Sequence, residues 1–268
     1  METAEKLLVI VDPTQDEHVA LDRAVITSRL RDIPPEIHIF LGVDSESNDT
    51  KADNKAMFRD NTWFENLMKP LVDEGLTYKV HISWSSQWQE SIVAMAEDVD
   101  ADMIVIPDYS IKAKASRLSD ANWALMRQSP CPVLVVRPGA QPQRKSVVAA
   151  INTQAQDARY EALNEKVLTR GQWMAQRYGA EFHVVSAYPD SLHYPDRGHL
   201  VRKTGLDAER VHVKQGAPED VISAVADELS ADIVVIGTLA REGVLAAMRG
   251  NTSEKVLGKL STDVMTLN

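Results

Sequence analysis

The stretch Ser91 to Ile106, SIVAMAEDVDADMIVI, returns 130 positions later as Val221 to Ile236, VISAVADELSADIVVI, and the two align without a gap. Ala96-Glu97-Asp98 falls on Ala226-Asp227-Glu228, and Ala101-Asp102 falls on Ala231-Asp232. In each copy apolar residues recur at three- and four-residue steps and then run unbroken. That is the pattern of an amphipathic helix, a short turn and a strand buried on both faces. The starts of the copies match too, Leu7 to Val11 ending at Asp12 and Val147 to Ile151 ending at Asn152. A period of this length far exceeds the roughly 20–50 residues of solenoid repeats, so it marks a duplicated domain. The chain's 268 residues suffice for two domains, each with its own core.

The first copy reads as strand 7–11, helix 16–31, strand 37–43, helix 52–73, strand 77–83, helix 88–98, strand 103–106, helix 119–127 and strand 133–137. The second reads as strand 147–151, helix 157–178, strand 182–187, strand 210–214, helix 218–229, strand 233–236, helix 251–259 and strand 263–267. Strands alternating with helices, several of them continuous Val, Ile and Leu, imply parallel sheets covered on both faces. The fold class is therefore α/β, two tandem doubly wound five-stranded parallel-sheet domains over 1–138 and 144–268. Pro138-Gly139-Ala140-Gln141-Pro142-Gln143 is the linker, by its turn residues and lack of apolar periodicity. Between Pro189 and Glu209, Pro195, Gly198 and Gly205 leave room for about two helical turns at 198–204, so one side of the second domain is thinly covered.

Composition narrows the function classes. The net charge of -10 argues against a nucleic-acid surface, which needs clustered Lys and Arg. Residues 1–138 hold 14 basic and 23 acidic side chains and residues 139–268 hold 15 and 16, so the second half repels an anion less. No window approaches the roughly 18 uninterrupted apolar residues of a membrane span. The acidic N-terminus runs straight into a strand without a basic leader, which makes the cytoplasm the expected address. The single cysteine, Cys131, excludes a disulfide framework and a thiolate cluster and fits a reducing compartment.

In open parallel sheets, ligands sit outside the carboxyl ends of the strands where strand order reverses. Asp12, Asn152, Gly42, Ala187 and the stretch GTLAREGVLAAMRGNTSEK (237–255) all fall at such ends. After Ile236, Gly237 is free to adopt positive φ and lets backbone approach an anion, while Gly243 and Gly250 permit tight reversals. Asn251-Thr252-Ser253-Glu254 opens a helix with Asn251 or Thr252 as N-cap, so unpaired N–H groups and a positive dipole end face a phosphate position. Arg241 and Arg249 add charge.

The tandem arrangement, the strand-terminal Asp or Asn, the segment Ser129-Pro130-Cys131-Pro132-Val133-Leu134-Val135-Val136, the helix Tyr160-Glu161-Ala162-Leu163-Asn164-Glu165-Lys166 and the loop ending Gly250-Asn251-Thr252-Ser253-Glu254 together resemble the universal stress protein family. The likeness covers essentially the whole chain and is strongest to tandem, E-type members. It implies the adenine nucleotide alpha hydrolase-like fold, with strand order 3-2-1-4-5 in each domain. It also implies an ATP site built from the Asp after strand one, the end of strand two, and a loop of Gly, two residues, Gly, nine residues, Gly, then Ser or Thr. Carried onto the second domain, that site comprises Asn152, Ser186, Ala187, Gly237, Thr238, Ala240, Gly243, Gly250, Asn251, Thr252 and Ser253. Ala240 stands at the middle glycine, Asn251 at the Ser/Thr position, and Asn152 replaces the Asp, keeping a hydrogen-bonding side chain but losing its charge. In the first domain the counterparts are Pro107, Ser110, Asp120 and Ala121. Pro107 removes an N–H and Asp120 repels phosphate, which makes that domain a non-binding partner. Asp12, without a phosphate cradle, is expected to cap the helix after it.

His38, His81, His183 and His212 interrupt strands two and three of both copies, where each pair could meet on one face. No further spaced ligand completes a zinc site, so hydrogen-bonded buried histidines are expected and no metal beyond magnesium accompanying a nucleotide. Trp63, Trp84, Trp88, Trp123 and Trp173 are scattered and read as packing. No catalytic triad and no Walker loop is present, so no catalytic residue is assigned. The expected function is a stress-response binding and regulatory module with weak ATP binding in the second domain. The alternatives are a nucleotide-free scaffold that binds a protein or lipid-like ligand through 189–209, and a weak ATP hydrolase. Strands 133–137 and 263–267 are expected to pair as a covalent pseudo-dimer, with homo-oligomers left open.

Overall fold

The computed structural model describes residues 4–43, 59–109, 125–126, 128–154, 157–238 and 252–268. The described residues up to Pro138 form one compact unit and those from Gly139 onward another.

In unit 1 the described strands are β1 (Lys6–Val11), β2 (Glu36–Val43), β3 (Tyr78–Trp84), β4 (Met103–Pro107) and β5 (Val133–Val136), with helices α1 (Val19–Ser28), α2 (Asn61–Asp73) and α3 (Trp88–Asp98) between them. They form a parallel sheet ordered β3-β2-β1-β4-β5, the order the family resemblance implies. Central β1 carries Leu7, Leu8 and Val9 with no exposed surface, because a parallel strand between crossover helices has no solvent face.

Unit 2 repeats the plan. Its strands are β6 (Ser146–Ala150), β7 (Glu181–Tyr188), β8 (Val211–Gln215), β9 (Ile233–Gly237) and β10 (Asp263–Leu267), parallel and ordered β8-β7-β6-β9-β10. Its helices are α4 (Ala158–Tyr178), α5 (Arg197–Thr204), α6 (Pro218–Glu228) and α7 (Thr252–Lys259). Helix α5 is the two-turn element expected between the glycines, started by the Asp196 side chain on the His199 N–H and stopped by Gly205 at φ 68°. Gly171, in mid-α4, lets the helix settle on the sheet, since a Cβ there would meet the Phe182 ring at 2.7 Å.

The repeated sequence acquires a mechanical explanation here. After α3, Asp100 takes φ 54° and the Ala101 N–H returns to the Ala96 carbonyl; after α6, Ser230 takes φ 47° and Ala231 returns to Ala226. Both are left-handed helix stops of the Schellman type. The aspartate that follows then clasps the start of the central strand. Asp102 Oδ2 accepts the Lys6 N–H at 2.8 Å, and Asp232 Oδ2 accepts those of Lys145 and Ser146 at 2.6 and 3.0 Å. Each unit's first and fourth strands are thereby fixed in register at their amino ends.

The short and divergent ends differ from the expected spans. Helix α1 begins at Val19 rather than near 16, because residues 12–16 are consumed by a turn. Much of the expected helix at 119–127, and the first part of that at 52–73, lies outside the described residues.

Candidate functional site

The carboxyl ends of β6, β7 and β9 enclose a cavity of about 570 Å³ within unit 2. Strand order reverses beside β6, so a crevice forms where its two neighbours' connections diverge. Helix α4 supplies one wall through Tyr160, Leu163 and Asn164, whose three- and four-residue spacing puts them on one helical face. Tyr188 and Pro189 at the end of β7, Gly216 to Pro218 before α6, and Ser253 and Val256 of α7 complete it. None of the described lining residues carries a formal charge.

Asn152 is held from both sides. Its N–H donates to Asn164 Oδ1 at 3.0 Å and its carbonyl accepts from Asn164 Nδ2 at 2.8 Å, so the helix side chain mimics a strand partner where the ladder has ended. Its own Oδ1 accepts the Gln154 N–H at 3.0 Å, closing an Asx turn. Gln154 Nε2 in turn donates to the His193 carbonyl at 3.1 Å, which anchors the 3₁₀ turn Ser191–His193 near the cavity rim. Tyr194 of the same segment stands edge-on to Tyr188, with centroids 5.2 Å apart.

The residues predicted for the site divide into three groups. Asn152, Ala187, Gly237 and Ser253 line the cavity. Ser186 and Thr238 do not. Ser186 is buried and its hydroxyl lies 2.7 Å from that of Thr153, and the Thr238 hydroxyl donates to Asn268 Oδ1 at 2.6 Å, tying β9 to the chain end. Ala240, Gly243, Gly250 and Asn251 lie outside the described residues, as do Arg241 and Arg249, and Thr252 opens α7. Tyr160, Leu163, Asn164 and Tyr188 were not assigned from sequence. The Tyr-Glu-Ala-Leu-Asn run of α4 held the signal, since three of the four share one helical face.

Two expectations are corrected. Gly237 does not take positive φ; it ends a regular strand, and glycine is required because a Cβ would lie 2.5 Å from Leu163 Cγ and Cδ2. Asp12 does not cap α1, which starts after His18 without a side-chain cap. Its Oδ1 accepts instead from the Thr14 N–H at 2.8 Å and hydroxyl at 2.6 Å, the same turn that Asn152 makes. In unit 1 the loop after β1 is further occupied by Arg59, which donates to the Pro13 and Gln15 carbonyls at 2.6 and 3.0 Å. The Tyr109 hydroxyl closes onto the Glu17 carbonyl at 2.6 Å. Of the positions compared with the phosphate loop there, only Pro107 lies among the described residues, at the end of β4.

The family resemblance can now be set against known proteins. The universal stress protein family matches residues 3–137 and 199–268 of the sequence. The chain belongs to the universal stress protein family. Universal stress protein E of Photorhabdus laumondii is 28% identical, over 100% of this chain and 96% of that protein. Universal stress protein E of Escherichia coli K12 is 28% identical over 98% and 93%. Among solved structures, a functionally unknown protein of Pseudomonas aeruginosa PAO1 superposes with a TM-score of 0.80 at 25% identity, covering 98% of this chain and 92% of that one. A universal stress protein of Archaeoglobus fulgidus shares the fold, with a TM-score of 0.67 at 15% identity over 98% and 96%. This universal stress protein thus matches these relatives along nearly their whole length. No described helix is long and apolar enough to cross a membrane.

The histidines meet in pairs, once in each unit. His38 Nδ1 and His81 Nε2 lie 3.0 Å apart with rings nearly parallel, and His183 Nδ1 and His212 Nε2 lie 3.2 Å apart. Among the described residues no three His, Cys, Asp or Glu are grouped to hold a metal. Within a pair one ring donates and the other accepts, so adding protons places two donors face to face. Burial is the main cause that holds His38, His183 and His212 below the usual histidine range, opposed by Glu36 for His38 and by Glu181 for His183. Folding therefore favours the neutral rings. The stability they contribute is complete above the unfolded histidine value near 6.5 and is lost as pH falls through the lower folded values. Glu36, Glu74 and Glu228 are held below the ordinary carboxylate range by Lys79, Arg29 and Lys214, and stay ionised throughout that window. The urea midpoint is expected to drop between pH 7.5 and 5.5, and His183→Gln with His212→Gln to shrink that drop. An undiminished drop in the double variant would assign the effect to other groups, with buried His38 and half-buried His18 next in line.

Proposed function

We propose that this chain is a stress-response binding module, in which the cavity of unit 2 takes an adenine nucleotide weakly and acts through occupancy rather than turnover. The observation that carries the reading is the place and size of the cavity: about 570 Å³, within the range of small-molecule sites, at the carboxyl ends of β6, β7 and β9. Apolar Ile151, Leu163, Ile222 and Val256 suit a flat ring, while amide and hydroxyl groups stand at the rim. Helix α7 begins beside Gly237, where the Ser253 hydroxyl reaches the Gly237 carbonyl at 3.1 Å, so its first N–H groups and positive dipole end lie at the phosphate side. A triphosphate would bring magnesium as its own counter-ion.

The uncharged lining keeps the affinity modest. Asn152, where the family carries Asp, offers an amide in place of a carboxylate, and the described part of the cavity has no cation for phosphate. Calorimetric titration of the full chain with ATP and magnesium is expected to give saturable heat at high micromolar to millimolar nucleotide. No heat and no thermal shift at millimolar nucleotide would overturn the reading. Phosphate release that Gly237→Ala abolishes would instead favour a hydrolase using this same cavity.

A further inference from the structure

Strand β3 is the outer strand of unit 1 and is bonded to β2 along one side. Its register puts Val80 beside Ile39, Ile82 beside Leu41 and Trp84 beside Val43, so the three share one face. Ile39 and Leu41 are buried, yet Val80 is 40%, Ile82 64% and Trp84 53% exposed. Trp84, read from the sequence as packing, thus stands largely in solvent. Val72, in the last turn of α2 that leads into β3, is 60% exposed. These four are the majority of the seven large apolar side chains that stand exposed among the described residues. Apolar residues exposed singly are ordinary, whereas three in succession along one face of an edge strand make a template for another strand.

Unit 2 treats the same place differently. Its outer strand β8 matches β3, since His212 meets His183 as His81 meets His38. The position of Val80 is then taken by Val211, which is buried, and Arg197 at the start of α5 donates to the Val211 carbonyl at 3.0 Å. Among the described residues no side chain bonds the β3 backbone in this way.

We propose that β3 is a pairing edge for a second copy of this chain, with the two β3 strands running antiparallel about a twofold axis normal to the sheet. Such an axis keeps the exposed faces of both copies on one side. Centred on His81, it sets Val80 opposite Ile82 and Tyr78 opposite Trp84, so every residue of that face meets an apolar or aromatic partner. On the other face Lys79 stands opposite Ser83, and no like charges oppose one another. The segment is therefore complementary to itself, which favours its own copy over a strand of arbitrary sequence. The main-chain groups of the free edge supply the hydrogen bonds.

The test uses the full chain in sedimentation velocity across a concentration series. The wild type is expected to pass from monomer to dimer by about 100 µM, the range of a small interface. Ile82→Lys changes an exposed position of the single chain, so the fold is expected to hold by circular dichroism. Association is expected to weaken about a hundredfold, because the new charge would be buried at the centre of the pairing. Cysteine cross-linking places the interface. Chains carrying Val80→Cys, mixed with chains carrying Ile82→Cys, are expected to link to each other on oxidation faster than either links to itself. Directly opposed residues lie within disulfide range, and native Cys131 is buried. A wild type that stays monomeric at about 100 µM, a dimer that Ile82→Lys leaves unchanged, or mixed chains that link no faster than the single variants would each overturn the proposal. A monomer that binds detergent micelles until Ile82→Lys is introduced would overturn it too, and would give the stripe to an amphipathic ligand.

Discussion

Asp263→Ala is expected to destabilise unit 2 by about 3–5 kcal/mol, the cost of stranding a buried charge. Arg144 Nη2 donates to Asp263 Oδ2 at 2.6 Å and neither side chain has exposed surface. The guanidinium also lies over the Tyr178 ring, 5.2 Å from its centroid. Three elements converge on that guanidinium: the run into β6, the end of α4 and the start of β10. Removing the carboxylate leaves the cation without its counter-charge and without room for water to replace it. Removing both charges together removes the desolvation penalty as well. Arg144→Met with Asp263→Leu is therefore expected to recover most of the loss, and the two single variants with the double form a cycle whose coupling energy reports the pair directly. Urea unfolding monitored by circular dichroism measures all four proteins. A single-variant loss under about 1 kcal/mol would show that the pair behaves as though exposed. The pair lies at the amino end of the sheet, away from the cavity, so ligand affinity measured on folded protein should not move.

The second large effect belongs to the cavity. Gly237→Ala would place a methyl group 2.5 Å from Leu163 Cγ and Cδ2, a distance no packed carbon tolerates. Leu163 is itself only 5% exposed, so it has no free space to enter except the cavity it lines. The expected outcome is a loss of about 1–3 kcal/mol from overpacking, together with a cavity partly filled by the displaced leucine. Nucleotide heat should fall with it. Leu163→Ala in the Gly237→Ala background should restore both stability and binding in part, because the removed isobutyl group makes the room that the new methyl needs. If Gly237→Ala alone retained full stability and binding, α4 would have to stand further from β9 than it does.

These two sites show what the sequence could and could not disclose. The strands follow from continuous apolar runs and from the repeat, while their order follows only from the family resemblance. Helix α5 follows from its flanking glycines. The reason for Gly237 was not local: a residue 74 positions earlier decides it, and only the packing of α4 against β9 brings the two together. A glycine after a strand reads equally well as a turn former, and that reading fails. Asp12 fails in the same way, since an aspartate before a helix suggests a cap until the intervening turn is seen to claim its oxygen. Asn152, by contrast, could be placed at the cavity from its strand-end position, while the direction of its amide required the Gln154 N–H. Tyr160, Leu163 and Asn164 were visible as a run but gained a role only when their shared face was found to look inward. The pairing of His38 with His81 and of His183 with His212 was expected from adjacent strands, and the registers His38↔Lys79 and Val185↔His212 place each pair diagonally across its ladder.

The aspartate clasp at Asp102 and Asp232 has a wider bearing. Because each copy is secured by an aspartate at the rim where its strands begin, that part of its alignment does not depend on the loops of the opposite rim. Loops there can be exchanged, shortened or filled without unseating the chassis beneath them. Among the described residues, Arg59 and Tyr109 close onto the loop after the first copy's central strand, while the second copy's strand ends line a hollow. A chimaera carrying the second copy's strand-end loop on the first copy's frame should accordingly remain folded, which makes the molecule a natural host for grafted binding sites.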